Sequence, residues 1–368
     1  MSKVRHLLGI SGGKDSAALA IYMKSKYPQL DIDYYTSDTG KELDETYKLI
    51  ENLEVYLGKK IHLLNAADGS HMNPFDHFLK IYGGYLPSSN SRWCTKKLKL
   101  EPFEKYIGND QVVSYVGIRG DEDREGYISR KSNIQSIFPF RRNIWSEDVV
   151  NKFLNSSNID KAISLTEVVD LGSRSSRFVE LLSKPLDYSF TLHNKLNQLL
   201  DLGTKETNYL IFEFLKSTDY PLAKEEDFPL VENEENLVRD DIFRILEESG
   251  VGVPAYYKKI EFDASGKKGE YSRSRSGCYF CFFQQKIEWV WLHEQHPELY
   301  EQAMEYEKDG YTWNQEESLA ELIRPDRVKQ IKEEYVKRQE RLSSNIKSPY
   351  LLDILDDSES EGCAACFI

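Results

Sequence analysis

Apolar and polar positions alternate along the first 120 residues with the punctuation of a parallel α/β sheet. Val4 to Ile10 is a short apolar run that predicts a buried strand, and Ser16 to Tyr27, rich in Ala, Leu and Met, predicts a helix. A second strand is predicted over Ile32 to Thr36, followed by a helix over Glu42 to Tyr56, where apolar residues recur at helical spacing. Lys60 to Leu64 predicts a third strand and Val112 to Ile118 a fourth. Strands and helices taking turns in this way predict a doubly wound parallel sheet with right-handed crossovers.

The texture then changes. Residues 151–227 are rich in Leu, Lys and Glu and lack Gly-rich punctuation, which predicts a helical insertion after an α/β domain over residues 1–150. Residues 228–350 read as a Cys-containing C-terminal helical region, with dense aromatics around a Cys-x-x-Cys pair and one long charged helix over Arg324 to Arg341. The last stretch, 351–368, is acidic and serine-containing and is expected to be a flexible tail with a second Cys pair.

Composition narrows the function classes. The 368 residues carry a formal net charge of −13, which argues against a free-standing nucleic-acid binder, since nonspecific phosphate affinity needs basic surface. Nucleic acid reached through a local basic patch or a partner subunit stays open. No apolar run approaches the roughly 18 residues of a membrane span, and the start runs straight into a strand, so neither a membrane segment nor a secretory signal is expected. Five cysteines, two Cys-x-x-Cys pairs among them, suit metal or redox use in a reducing compartment better than disulfides. The cytoplasm is the expected location.

Ser11-Gly12-Gly13-Lys14-Asp15-Ser16 follows a predicted strand and opens a predicted helix. Two glycines let the backbone approach an anion, and a helix N-terminus offers free N–H groups and the positive end of its dipole. Lys14 adds a cation, the Ser11 and Ser16 hydroxyls can donate to phosphate oxygens, and Asp15 can cap the helix or help to hold Mg²⁺. The spacing is not that of a Walker A loop. A loop of this kind is expected to face solvent.

Asp38, with Thr39 and Gly40, ends the second predicted strand, where doubly wound folds bind ligands; Asp38 could hold ribose or adenine, or shape a strand-end turn. Arg119 follows the fourth predicted strand and could clamp phosphate or sulfate, or pair with Asp121 or Glu122. Arg92, Lys96, Lys97 and Lys99 form a basic cluster in an acidic chain.

These segments resemble a known family. Ser11–Ser16 resembles the PP-loop of the ATP pyrophosphatase superfamily, which includes phosphoadenosine phosphosulfate reductases, tRNA thiolases and GMP synthetase. Ser37-Asp38-Thr39-Gly40, Arg92-Trp93-Cys94-Thr95 with Leu98-Lys99, and Gly117-Ile118-Arg119 with Asp121, Glu122 and Arg124 are similar to ordered motifs of its reductase branch. The resemblance implies an adenine nucleotide alpha hydrolase-like fold, with ATP bound at Ser11 to Ser16 and Asp38 to Gly40. It also implies cleavage between the α- and β-phosphates, with Lys14, Asp15, Asp38 and Arg119 as catalytic candidates and Mg²⁺ as cofactor.

Arg273-Ser274-Arg275-Ser276-Gly277-Cys278-Tyr279-Phe280-Cys281 is the second strong signal. Two thiolates at this spacing can hold one metal, and Cys94, which lies in a family motif, is expected to join Cys278 and Cys281. Three thiolates suit a [4Fe–4S] cluster with one open iron; zinc is the alternative, with Cys363, Cys366, His293 or His296 as fourth ligand, and buried structural thiols are a further one. The segment resembles one in the sulfur-activating protein of DNA phosphorothioation systems. Cys363 and Cys366 could carry sulfur or electrons to the site, ligate a metal, or have no role.

Together these readings point to an enzyme that adenylates an acceptor, releases pyrophosphate and lets a sulfur donor, such as a cysteine desulfurase, displace AMP. The acceptor would be DNA phosphate or a tRNA base. A phosphoadenosine phosphosulfate reductase-type oxidoreductase and a non-catalytic ATP-sensing subunit of a defence complex are the alternatives.

Overall fold

The computed structural model describes residues 3–122, 131–308 and 310–343. Five parallel strands, β1 (Arg5–Gly9), β2 (Ile32–Ser37), β3 (Ile61–Leu64), β4 (Val112–Tyr115) and β5 (Ile134–Ile137), form one sheet in the order β3-β2-β1-β4-β5. This is the doubly wound α/β sheet that the alternation predicts. His6 faces Ile32 on one side of β1 and Val113 on the other, and Leu8 is flanked by Tyr34 and Tyr115. The chain moves outward from β1 through β2 to β3, then returns to the far side of β1 for β4. That reversal leaves a crevice at the carboxyl ends of β1 and β4, the place where such sheets receive ligands.

β5 is absent from the sequence expectation because Gln135 and Ser136 interrupt its apolar pattern, although all four of its residues are buried. The predicted fourth strand ends at Tyr115 rather than Ile118, since Gly117 leads the chain into the loop that carries Arg119.

α1 (Lys14–Lys26) crosses behind the sheet, and its residues from Lys14 to Met23 are all buried. α2 (Asp44–Leu57) buries one stripe, Thr46, Leu49, Leu53 and Leu57, and stops at Gly58 in the left-handed region. The helical stretch includes Glu147–Phe153, Ser175–Ser183, Leu192–Leu202 and Thr204–Leu215, whose apolar faces share one core with α1 and the sheet. Asn233 fastens this layer, its amide donating to the Pro139 and Arg141 carbonyls at 3.0 and 3.1 Å.

The carboxyl-terminal part has its own aromatic core around Trp289, Trp291, Tyr300, Phe280 and Trp313. It consists of an antiparallel hairpin, Ile260–Ala264 with Lys267–Tyr271, and helices Lys286–Gln295, Pro297–Glu305 and Pro325–Ser343. The last of these is the long charged helix expected over Arg324 to Arg341. Phe75 and Trp93 from the amino-terminal part join this core, so the cysteine-bearing segment is packed against the sheet's crevice. Among the described residues no helix is long and apolar enough to cross a membrane.

Candidate functional site

β1 ends at Gly9 and α1 begins at Lys14, so Ser11, Gly12 and Gly13 carry the chain over the edge of the sheet. Gly12 has a φ of 74°, and a side chain there would collide with Thr46 of α2. Gly13 precedes α1 and has no side chain to cap it, leaving amides of the loop and the first turn to other acceptors. Protein oxygens supply them. Ser16 Oγ accepts from the Ser11 amide at 3.1 Å, Ser11 Oγ from the Gly13 amide at 3.4 Å, and the Tyr257 phenol from the Lys14 amide at 3.3 Å. The neighbouring Tyr256 hydroxyl donates to the Gly12 carbonyl at 2.9 Å. Two consecutive tyrosines from the carboxyl-terminal part therefore hold the loop.

Lys14 does not face solvent as the loop was expected to do; it is 6% exposed. Its ammonium donates to Asp15 Oδ2 at 2.9 Å and lies 5.1 Å over the Tyr257 ring. Asp15 Oδ1 accepts from Arg119 Nη1 at 2.8 Å, so Asp15 does not cap α1, and both its oxygens are taken by cations. Arg119 also meets Asp121 at 2.8 Å and Glu122 at 3.2 Å. Burial pushes the Lys14 pKa down, and Asp15 offsets only part of it. Burial works the other way on Asp15, but Lys14 and Arg119 outweigh it and hold the carboxyl below its ordinary range. The asymmetry is physical: Asp15 sees two cations, whereas Lys14 sees one anion and the repulsion of Arg119.

Gly117 makes this cluster possible. A Cβ there would stand 2.9 Å from the Asp15 carbonyl oxygen, so only glycine lets the end of β4 lie against the start of α1.

Beyond β2, Asp38 Oδ1 accepts from the Gly40 amide at 2.7 Å and from the Tyr47 hydroxyl at 2.9 Å, which makes it the organiser of the Asp38–Gly40 turn. Thr39 donates to Glu42 at 2.7 Å, and its oxygen lies 3.2 Å from Cys278 Sγ. Burial raises the Glu42 carboxyl above its ordinary value; Thr39 works against that shift and Asp38 for it.

Cys94 sits in the turn Trp93–Thr95, directly before a π-helical turn over Lys96–Leu100. Cys278 follows Gly277, whose φ of 121° turns the chain, and the Cys281 amide donates to the Cys278 carbonyl at 3.1 Å. The Tyr279 amide donates to the Lys41 carbonyl at 2.9 Å, docking the segment on the connection between β2 and α2. Cys281 lies near enough to both other thiols to disfavour their ionisation. Burial is the main cause in each case, pushing Cys94 up to about 12 and Cys278 well above its ordinary value. The three cysteines thus share one neighbourhood, yet among the described residues no three His, Cys, Asp or Glu side chains are grouped as a single metal ion would need. His293 and His296, offered as zinc ligands, make ring contacts with Tyr300 and Trp291. Cys363, Cys366 and Arg124 lie outside the described residues.

A sequence model of the phosphoadenosine phosphosulfate reductase domain matches residues 5–162, the span that holds the sheet and the loop. Residues 5–162 form a PP-loop domain of the phosphoadenosine phosphosulfate reductase-like superfamily. Its curated relatives include an uncharacterised protein of Methanocaldococcus jannaschii, 36% identical over 145 residues, a match that covers 36% of this chain and 28% of that one. A tRNA-specific 2-thiouridylase of Mannheimia succiniciproducens is 25% identical over 189 residues, covering 46% of this chain and 47% of the relative. That of Pasteurella multocida is 25% identical over 195 residues, covering 48% and 49%. The chain therefore spans about half or less of the curated relatives it matches. A crystal structure of phosphoadenylyl-sulfate reductase from Candida auris aligns with a TM-score of 0.29 at 18% identity, over 54% of this chain and 78% of that one.

Sequence reasoning missed the residues that hold the PP-loop from outside its domain. Tyr256 and Tyr257 belong to no motif, and their only signal is adjacency in an aromatic-rich stretch. Ser276 lies within the cysteine segment, but nothing in its spacing shows that its hydroxyl would donate to the Ser11 carbonyl at 3.4 Å. A Cβ on Gly13 would come within 2.6 Å of that hydroxyl, so the second glycine of the PP-loop makes room for the cysteine segment.

Proposed function

We propose that this chain is an ATP pyrophosphatase that activates an acceptor for sulfur transfer in nucleic-acid modification. The observation that carries the reading is the 3.2 Å contact between Thr39 Oγ1 and Cys278 Sγ, which joins the turn after β2 to the cysteine segment. ATP phosphates would displace Tyr257 and Asp15 from the Lys14 amide and ammonium, and the loop amides would stabilise charge developing between the α- and β-phosphates. Asp15 would help to hold Mg²⁺ once Lys14 turned to the nucleotide, and the ion would supply charge neutralisation for the phosphates. Asp38 is engaged in its turn and would position the adenosine-side backbone rather than take a proton.

Cys94, Cys278 and Cys281 would hold an iron–sulfur cluster. Three thiols in one neighbourhood suit a [4Fe–4S] cluster with one iron left open, since thiolates are the usual ligands of such clusters. A [4Fe–4S] cluster held there would supply an open iron able to carry sulfur. A sulfur donor such as a cysteine desulfurase would load the site, and nucleic acid would arrive through a partner subunit, since the chain is acidic overall. The relatives named as tRNA 2-thiouridylases agree with sulfur chemistry on a nucleic acid.

The test is product analysis. The wild-type chain, given ATP, sulfide and nucleic acid, should release AMP and pyrophosphate in equal amounts, and Lys14→Ala should release neither. Unchanged pyrophosphate release by Lys14→Ala sinks the assignment. The description of the matching domain favours a second reading, a phosphoadenosine phosphosulfate reductase; it predicts sulfite from that substrate and no pyrophosphate from ATP.

A further inference from the structure

Interior cations in this chain come with partners. Lys14 and Arg119 share Asp15, and Lys195 donates to the Leu182 and Lys184 carbonyls at 2.6 and 2.8 Å. Arg273 and Arg275 differ. Arg273 is 1% exposed, and its Nε and Nη1 are shut off from solvent with nothing to donate to. Its Nη2 alone is engaged, on the Cys278 carbonyl at 3.2 Å. Both terminal nitrogens of Arg275 are likewise buried and unpartnered, and its guanidinium lies 5.9 Å from the Phe283 ring centroid. Among the described residues neither guanidinium has a carboxylate partner. A buried charge without a counter-charge is strongly unfavourable, so two of them within three residues call for an anion that arrives from outside.

Their place in the crevice says which anion. The Arg273 amide donates to the Tyr256 carbonyl at 2.9 Å, and Tyr256 in turn holds the Gly12 carbonyl. Ser276, next to Arg275, touches the PP-loop at Ser11, and Cys278 follows two residues later. The pair thus stands at the seam between the PP-loop and the thiols. Guanidinium forks bind phosphate in bidentate fashion, and an aromatic ring under one of them keeps its plane fixed. We propose that Arg273 and Arg275 form a second anion site, separate from the PP-loop, that takes a phosphate group of the acceptor. The site stands on its geometry; naming its occupant the acceptor rests on the sulfur-transfer reading above.

The test uses the full chain saturated with a non-hydrolysable ATP analogue, so that the PP-loop is filled. A labelled single-stranded oligonucleotide is titrated by fluorescence anisotropy, and inorganic phosphate is titrated separately by calorimetry. Arg275→Gln, at the less buried of the two positions, should weaken oligonucleotide binding about tenfold or more and Arg275→Lys by less, as expected for loss of a charge-assisted fork. Affinity for the ATP analogue should stay unchanged. Phosphate bound in an Arg275-dependent way, with no oligonucleotide binding, also supports the anion site and assigns it to a small phosphate ester. Wild-type binding of both probes by folded Arg275→Gln and Arg273→Gln overturns the proposal. So does loss of the ATP analogue in step with the oligonucleotide, which would place the arginines in the nucleotide site. Pyrophosphate release, assayed apart, tests the sulfur-transfer reading and does not enter this result.

Discussion

Tyr257 stands at the amino end of α1 with its phenolic oxygen 3.3 Å from the Lys14 amide nitrogen, where an anion held by this helix end would place an oxygen. Its ring also covers the Lys14 ammonium, 5.1 Å from the centroid. On the proposed reading the tyrosine occupies the place a phosphate oxygen would take, and it comes from a part of the chain remote in sequence. Tyr257→Phe keeps the ring and removes the competitor for the amide. ATP affinity should therefore rise by about threefold to tenfold, the scale of one neutral hydrogen bond. Isothermal titration of ATP into both proteins decides it; weaker binding by the variant would mean that the hydroxyl serves the nucleotide instead.

The buried cluster around Asp15 yields a stability prediction. Asp15→Asn leaves Lys14 and Arg119 facing each other with no anion between them, although Arg119 keeps Asp121 and Glu122. Removing one member of a buried pair costs about 3–5 kcal/mol, and the lower part of that range applies because Arg119 retains other partners. Chemical denaturation of the variant should show this loss, and adding Arg119→Gln should recover part of it. A single variant as stable as wild type would show that Asp15 contributes little to the cluster.

The sheet and the PP-loop were legible because both rest on local pattern. A buried strand such as Leu7–Leu8 and its flanks is a run of apolar residues, and the loop is punctuated by glycines that a turn and a close approach require. What the sequence hides is the second half of the site. Tyr256 and Tyr257 act through backbone groups of Gly12 and Lys14, more than 240 residues away, and nothing in either segment encodes the meeting. Asp15 and Arg119 each stand in a recognisable motif, but their pairing depends on β4 lying beside β1, a matter of strand order. The grouping of Cys94 with Cys278 and Cys281 came from motif position; their shared neighbourhood follows from the packing of Phe75 and Trp93 into the carboxyl-terminal core.

The thiols provide the metal prediction. Purified without oxygen, the chain should be brown and contain iron. Cys94→Ser, Cys278→Ser and Cys281→Ser should each lose it, while Cys363→Ser with Cys366→Ser should keep it and impair sulfur transfer. Thiols that burial holds neutral must shed protons to bind iron, so loading should release protons and be favoured as pH rises. Iron retained by Cys94→Ser and lost from the tail double variant would reverse the grouping.

His6 gives the sheet a titratable centre. Its ring stacks on Tyr115 with Nδ1 2.7 Å from the phenol, and burial, helped by Lys3, lowers its pKa from 6.5 to about 4. The fold accommodates the neutral ring, so this contribution is whole above pH 6.5 and is lost as pH falls from 6.5 towards 4. A shift of this size corresponds to about 3 kcal/mol. Replacement by Asn should flatten that part of the stability profile relative to wild type, measured by urea unfolding across the window. An unchanged slope in the variant would put the acid sensitivity elsewhere.

Gly117 is the position where fold and site meet most tightly. β4 must bring Arg119 to Asp15, and the two backbones approach so closely that a Cβ on residue 117 would sit 2.9 Å from the Asp15 carbonyl oxygen and 3.1 Å from its carbon. Both obstacles are main-chain atoms at the start of a helix whose first ten residues are buried, so they cannot swing aside as a side-chain tip would. Gly117→Ala must therefore push the end of β4 away from α1, stretching the Arg119–Asp15 pair from its 2.8 Å. Overpacking of this kind costs about 1–3 kcal/mol, which a domain with so large a core should survive. The catalytic loss should be greater than the stability loss implies, because a displacement of about 1 Å in positioning groups can lower turnover a hundredfold. Gly117→Ala should accordingly melt a few degrees below wild type while pyrophosphate release falls by about two orders of magnitude. Release that falls only in proportion to the unfolded fraction would show that Gly117 serves packing alone.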